Sequence, residues 1–315
     1  MSPFKIKLTF KGLQNRFNLY NIMVKKTFLF DIYSLKKYLF SVLFVSIVPI
    51  IFISFYPSQN LDSSSSLNEI LGMTQIIFSY CVALATIMIY SSASLIADEF
   101  KQNTIILLIT KPITKGTIIW GKYLALLLFG ILLCILSLGI LCLFAFIKYP
   151  FSDIGEFFTT QLTYSMIIVF FYGTLTTGFS MIFRNSKMAT IVPLTFTMIT
   201  IFLFFIIKPL LMNPTPLGIS YYEIYQIFYF DLGYHFMNIY TWMYELYISP
   251  LSTTLIRWLV SWSIYTIEYD PLFPEIEIYT KTNFLPPQAS LLIITLFATV
   301  IIIMSYLIFR KRDIT

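Results

Sequence analysis

Charge is scarce in this 315-residue chain: Asp, Glu, Lys and Arg make up 11%, against 58% hydrophobic residues. Soluble globular proteins carry about 25% charge and roughly 45–50% apolar residues. The deficit excludes a water-soluble enzyme, and also a disordered chain, which needs the opposite composition. Histidine occurs once, at His235, so no zinc site of the His-Glu-x-x-His kind can form. The 3 cysteines, Cys81, Cys134 and Cys142, lie inside apolar runs with no Cys-x-x-Cys pair, which implies neither a disulfide framework nor a metal site. Carboxylates are missing from the middle of the long apolar runs. That removes the usual groundwork for a proton relay, an ion channel or intramembrane proteolysis.

What is present are apolar runs long enough to cross a bilayer, for which about 20 residues suffice as a helix. Six such runs stand out: Tyr38–Phe55, Met73–Ala97, Lys122–Ile147, Leu162–Phe183, Met188–Ile207 and Ser290–Phe309. Strands of a membrane barrel alternate in polarity and would not stay apolar this long. The chain therefore reads as an all-α polytopic membrane protein with six transmembrane helices. Lysine and arginine fix its orientation. Residues 1–37 hold Lys5, Lys7, Lys11, Arg16, Lys25, Lys26, Lys36 and Lys37; Lys101, Lys111, Lys115 and Lys122 follow the second run, Arg184 and Lys187 the fourth, and Arg310, Lys311 and Arg312 the sixth. The opposite side carries only Lys148, Lys208, Arg257 and Lys281 among the bases. Basic residues favour the cytoplasm, so both termini are expected there, in a cell membrane. The net charge of +6 thus belongs to a membrane surface and not to nucleic acid.

Two segments lie outside the spans. Residues 1–37 mix aromatic and aliphatic residues with lysines and predict an interfacial amphipathic helix against membrane lipids. Residues 208–289 form an aromatic-rich external segment between helices five and six, followed by the last span and basic tail, 290–315. Within it Leu246–Ile267 is apolar enough to resemble a seventh span, but Pro250 and Arg257 interrupt it. A central Arg costs roughly 2.5–3.5 kcal/mol. An external subdomain with interfacial helices is the expectation.

Few motifs carry chemistry. Gly116-Thr-Ile-Ile-Trp-Gly121-Lys122-Tyr123 matches the phosphate-binding Gly-x4-Gly-Lys pattern until its last position, where Tyr123 replaces the Ser or Thr that would hold magnesium. No strand precedes it. Gly121-Lys122 reads instead as the start of the third span, with Lys122 snorkelling to the headgroups. The more informative stretch is 98–121. Asp98 and Glu99 close the second run, Phe100, Thr104, Leu107 and Leu108 share a helical face, and Pro112 ends that helix before Lys115. A compact amphipathic element rimmed by lysines and fixed to two spans is suited to passing force between a cytoplasmic partner and the membrane helices.

This stretch resembles the signature of the permease subunits of ATP-binding-cassette (ABC) exporters of the type-2 family, roughly Glu-x-x-x-Gly-Thr-x-x-x-Leu-Leu-x-x-Pro followed by a basic residue and Gly-Lys. Glu99, Thr104, Leu107, Leu108, Pro112, Lys115, Gly121 and Lys122 fit it, and Asn103 stands where the family has Gly. The ending Phe309-Arg-Lys-Arg-Asp313 and the lead-in Tyr20–Phe40 are also similar to that family. The external segment is longer and more aromatic than the family's short re-entrant one. The resemblance implies a permease without an ATPase or cofactor of its own. It would act beside a second permease, as homo- or heterodimer, on a cytoplasmic ABC ATPase subunit that holds ATP and magnesium. Asp98, Glu99, Thr104, Leu107, Leu108, Pro112 and Lys115 would couple to that ATPase. The family's second and fifth spans line the subunit interface, which makes Ser79, Thr86, Tyr90, Thr190 and Thr197 candidates for substrate lining or interface. Such a permease exports a lipid-like, peptide or drug-like substrate. A reading from another class is a non-transporting scaffold or sensor whose external domain binds a ligand or protein; an ATPase encoded beside the chain would favour the permease.

Overall fold

The computed structural model describes residues 20–28, 35–55, 71–101, 114–148, 154–183, 185–212, 219–247, 251, 253–269 and 276–311. In chain order these form α1 (20–28), α2 (Leu35–Phe55), α3 (71–101), α4 (Lys115–Lys148), α5 (Ile154–Ile182) and α6 (Ser186–Leu211), then the short α7 (Tyr221–Ile224), a 3₁₀ turn Ile227–Tyr229, α8 (Leu232–Tyr247), α9 (Thr253–Val260), strands β1 (Tyr265–Tyr269) and β2 (Glu277–Lys281), and α10 (Pro287–Lys311). Among the described residues six helices are long and apolar enough to cross a membrane: α2, α3, α4, α5, α6 and α10. They correspond one to one with the six apolar runs.

Several of these helices outrun the runs that predicted them. The uninterrupted 34 residues of α4 span about 51 Å at 1.5 Å per residue, well beyond about 30 Å of hydrocarbon. Lys148 at its far end shows why the helix continues: its ammonium donates to the carbonyls of Ile53 and Ser54 at 2.6 and 2.7 Å, closing the C-terminus of α2. Two spans contain wide-turn (π-helical) segments, Gln75–Leu84 in α3 and Met198–Leu203 in α6.

α5 is the axis of the bundle, packing against α3, α4, α6, α8 and α10. Its sequence permits this through Gly173, Thr174, Thr176, Thr177, Gly178 and Ser180, all buried. Small residues let helices approach closely where lipid supplies no hydrophobic drive between them. A Cβ on Gly178 would stand 2.9 Å from Ile301 Cγ2, and one on Gly173 3.2 Å from Met88 Cε.

One end of the bundle, here called proximal, gathers α1, the end of α3, the start of α4 and the end of α10. The distal end carries the described residues between 219 and 285. Among its described residues the apolar stretch Leu246–Ile267 holds no helix long enough to span: α9 has eight residues, about 12 Å, and β1 follows it. β1 and β2 pair antiparallel, Tyr265 opposite Lys281 through Tyr269 opposite Glu277. α8 is not a surface helix. Residues Leu232 to Thr241 are buried without exception, and Phe236 meets Phe171 and Tyr172 edge-on and stacked, at ring-centroid distances of 5.3 and 6.3 Å. Phe171 lies about 25 Å along α5 from its distal start, so the distal segment wedges a helix down into the bundle.

Candidate proximal coupling site

Two charged residues at the mouth of α3 and α4, Glu99 and Lys122, form a largely enclosed knot. Lys122 Nζ is 2.5 Å from Glu99 Oε1 and donates to the Leu95 carbonyl at 2.6 Å. Lys122 is 2% exposed. This corrects the expectation that it snorkels to the headgroups: instead of reaching water it turns back across the helix pair and neutralises a carboxylate 23 residues earlier. A buried ammonium left unpaired would be costly, and both the ion pair and the carbonyl bond offset that cost. The knot therefore fixes the end of α3 to the start of α4, on either side of residues 102–113.

A second tie enters from α5. Ser180 Oγ donates to the Ala93 carbonyl at 2.9 Å and accepts from the backbone N–H groups of Ile96 and Ala97 at 3.2 and 3.1 Å. A hydroxyl placed into the backbone ladder of another helix locks the last turns of α3 to α5 by geometry and not by apolar contact alone. Next to it Ala93 and Ala97 pack on Ala189, where three methyl-sized side chains bring α3 and α6 together.

The rest of the proximal end closes around the same stem. Gly121 is a seat for α1: a Cβ there would meet Met23 Cβ at 3.1 Å, and Tyr20 donates its hydroxyl to the Trp120 carbonyl at 3.1 Å. Lys115 Nζ lies 5.9 Å from the ring centre of Phe309 on α10, and a Cβ on Gly116 would come within 3.1 Å of the Tyr306 hydroxyl. Tyr123, the residue that breaks the phosphate-binding pattern, is engaged with Thr174 at 2.6 Å inside the bundle. Glycine and lysine here serve helix packing and not phosphate.

Of the predicted coupling residues, the structure brings Glu99 into the knot, carries Asp98 beside it on α3, and sets Lys115 at the first turn of α4. Thr104, Leu107, Leu108 and Pro112 lie outside the described residues. Ser180 and Leu95 were missed by sequence reasoning. A serine among glycines and threonines on α5 gives no local sign that its partner is a backbone 83 to 87 residues away.

The predicted lining residues separate into two environments. Tyr90 on α3 is 68% exposed, and Ser94 is exposed one turn further on. Thr86 and Thr190 are half-buried with hydroxyls closed on their own helices, to Val82 and Ser186 at 2.6 and 2.9 Å. Thr197 is buried and donates to the Pro193 carbonyl at 2.8 Å, so it belongs to the interior and not to the face that carries Tyr90. The side chain of Ser79 lies outside the described residues. The outward face of α6 close to the α3 contact is mostly apolar, with Ile191 and Met198 exposed and Thr195 between them.

Among the described residues, two lysines near the ends of spans are packed inside the protein, an enclosure that no local sequence pattern signals. Lys122 is one and Lys208 the other, each against a carboxylate. Among the described residues no cluster of three or more His, Cys, Asp or Glu could hold a metal ion.

Residues 22–314 match the family model described as ABC-2 family transporter protein. No curated protein matches the chain.

Proposed function

Since the chain belongs to the ABC-2 transporter family and is therefore the membrane-spanning permease component of an ABC transporter, we propose that it is an export permease driven from its proximal end by a separate cytoplasmic ATPase subunit. The single observation that carries this reading is the Glu99–Lys122 pair, closed at 2.5 Å and backed by the Leu95 carbonyl. It joins the first and last members of the family-like motif into one stem, so that a push on residues 98–121 moves α3 and α4 together. Ser180 extends the stem to α5. Force applied at a loose loop would be lost in bending; force applied to this stem reaches three spans.

In this reading the basic proximal end, with both termini, faces the cytosol. ATP and magnesium act on the partner subunit, and this chain supplies helices and no catalytic group. Tyr90 and Ser94 stand exposed on a spanning helix, where lipid offers them no hydrogen bonds. A second permease, identical or related, covers that face, with α3 and α6 forming the seam and the hydroxyls turned toward the substrate path. The substrate is lipid-like, a peptide or another drug-like amphiphile, since α6 exposes mostly apolar side chains and α3 adds the hydroxyls of Tyr90 and Ser94.

The test is transport by the chain reconstituted with its ATPase in liposomes. Leu108→Asp is expected to leave insertion intact while substrate-stimulated ATP hydrolysis and transport are lost. Normal coupled transport by that variant would overturn the proposal.

A further inference from the structure

The most enclosed ion pair among the described residues lies at the other end of the molecule. Lys208 Nζ is 2.5 Å from Asp231 Oδ2, with side chains 2% and 1% exposed. The ammonium also donates to the Trp262 carbonyl at 3.0 Å and lies 5.4 and 5.9 Å from the ring centres of Tyr222 and Trp262. Asp231 is saturated in turn: Oδ2 accepts the Tyr222 hydroxyl at 2.8 Å and Oδ1 the Tyr234 N–H at 3.0 Å. An ammonium from a spanning helix is thus held by α7, by the foot of α8 and by the turn after α9.

What it holds is a helix segment whose other side chains are half-buried or exposed, Leu211 being half-buried against the core. In the outer part of α6, Phe204–Leu211, Lys208 is the buried residue. Its neighbours Ile206 and Leu210 are 69% and 68% exposed, and Phe205, 39% exposed, touches the Trp262 ring at 5.0 Å. Directly before this part runs the wide-turn segment Met198–Leu203, and before that Pro193, which has no N–H to give the helix ladder. The inner part of α6 is packed on α3 and α5. α8, at the other side of the ion pair, is wedged against α5 and α10. An apolar pair would fill the same space without desolvating two charges, so the charges contribute registry: one defined position for a segment with a single fully enclosed side chain.

We propose that Lys208 and Asp231 form a latch that holds the outer part of α6 closed against the distal unit, and that release of this latch, with α6 bending at Met198–Leu203, is the distal step of the transport cycle. The latch itself stands on the geometry alone; its release during transport rests on the function proposed above.

Spin labels at Leu210→Cys and Tyr269→Cys, both exposed positions, read the latch, and labels at Trp120→Cys and Met188→Cys read the proximal bundle. The 3 native cysteines Cys81, Cys134 and Cys142 are buried and do not compete. In the full chain the 210–269 distance distribution is expected to be narrow. In Lys208→Met/Asp231→Asn, which removes both charges together and leaves neither stranded, it broadens toward longer distances while the 120–188 distribution stays unchanged. An unchanged 210–269 distribution in the double variant overturns the latch, and so does equal broadening of both pairs, which would report a general loss of packing. In the wild-type complex with its ATPase, trapping with ATP and vanadate is expected to populate the same long distances. No shift there, with the double variant still broadened, would overturn the release step; absence of any ATPase partner would instead count against the proposed function and leave the variant result standing.

Discussion

Breaking the Glu99–Lys122 knot from each side in turn has a predictable asymmetry. Glu99→Gln removes the carboxylate and leaves an ammonium whose side chain is 3% exposed against the Leu95 carbonyl. Removing one partner of a buried pair costs about 3–5 kcal/mol; because Glu99 is itself 17% exposed and water can approach, about 3 kcal/mol is the expected value. Lys122→Met leaves a carboxylate that can rehydrate, so about 1–2 kcal/mol is expected. The double variant Glu99→Gln/Lys122→Met strands no charge and should also cost about 1–2 kcal/mol, well short of the sum of the singles. The interaction term, about 3 kcal/mol, corresponds to roughly a hundredfold in the folded ratio. Reversible chemical unfolding in detergent micelles, followed by tryptophan fluorescence, measures all three. If the two substitutions add within about 0.5 kcal/mol, the pair is not coupled and the stem is not held in the way described.

Three further outcomes follow from named contacts. Ser180→Ala loses the bonds to Ala93, Ile96 and Ala97 and should lower stability by about 1 kcal/mol, with a larger proportional loss in coupled ATP hydrolysis than in ATPase binding; intact coupling would contradict its role as a tie. Gly130→Ala places a Cβ 2.6 Å from Val169 Cγ1 and should cost about 1–3 kcal/mol by overpacking, whereas Gly139→Ala, with nothing within 4 Å, should be neutral or stabilise α4 by up to about 1 kcal/mol; comparable melting shifts for both would contradict the packing. His235 is fully buried, with Nε2 facing the Tyr229 carbonyl and Nδ1 facing Ser290, which fits the neutral ring protonated at Nε2. Burial holds its pKa below the ordinary 6.5, with the nearby Lys208 charge acting the same way and the Tyr229 carbonyl and Asp231 opposing. A depressed histidine means that the unfolded chain binds the proton first, so stability is full above about pH 6.5 and falls as the pH drops below it. His235→Gln should flatten that part of the stability curve between pH 7.5 and 5.5; an unchanged slope would show the acid sensitivity to lie elsewhere.

The spans were legible because a continuous apolar run in a chain this poor in charge has one stable outcome, a helix through lipid. Their ends were less so. The sequence runs stop at the first polar residues, while the helices continue through Lys115 and Lys148 because those side chains find partners across the bundle. Lys122 and Lys208 were legible as lysines near span ends, but their burial depends on carboxylates 23 residues apart in both cases, on different helices or turns, which no local pattern reveals. The aromatic distal segment misled for another reason. Tyrosines suit a membrane interface and a packed core equally well, so residues such as Tyr234, Tyr240 and Tyr244 gave no sign that α8 would be enclosed between α5 and α10. The strand Tyr265–Tyr269 begins inside an apolar stretch that also fits a helix.

The molecule that touches the proximal stem decides whether this permease is driven from that end. A photo-crosslinking residue at Lys115, in cells expressing the full chain, should yield an adduct whose partner mass spectrometry identifies as an ABC ATPase, while the same residue at Tyr269 yields none. An ATPase adduct at Tyr269, or a stem at Lys115 that captures no nucleotide-hydrolysing subunit, would contradict the account.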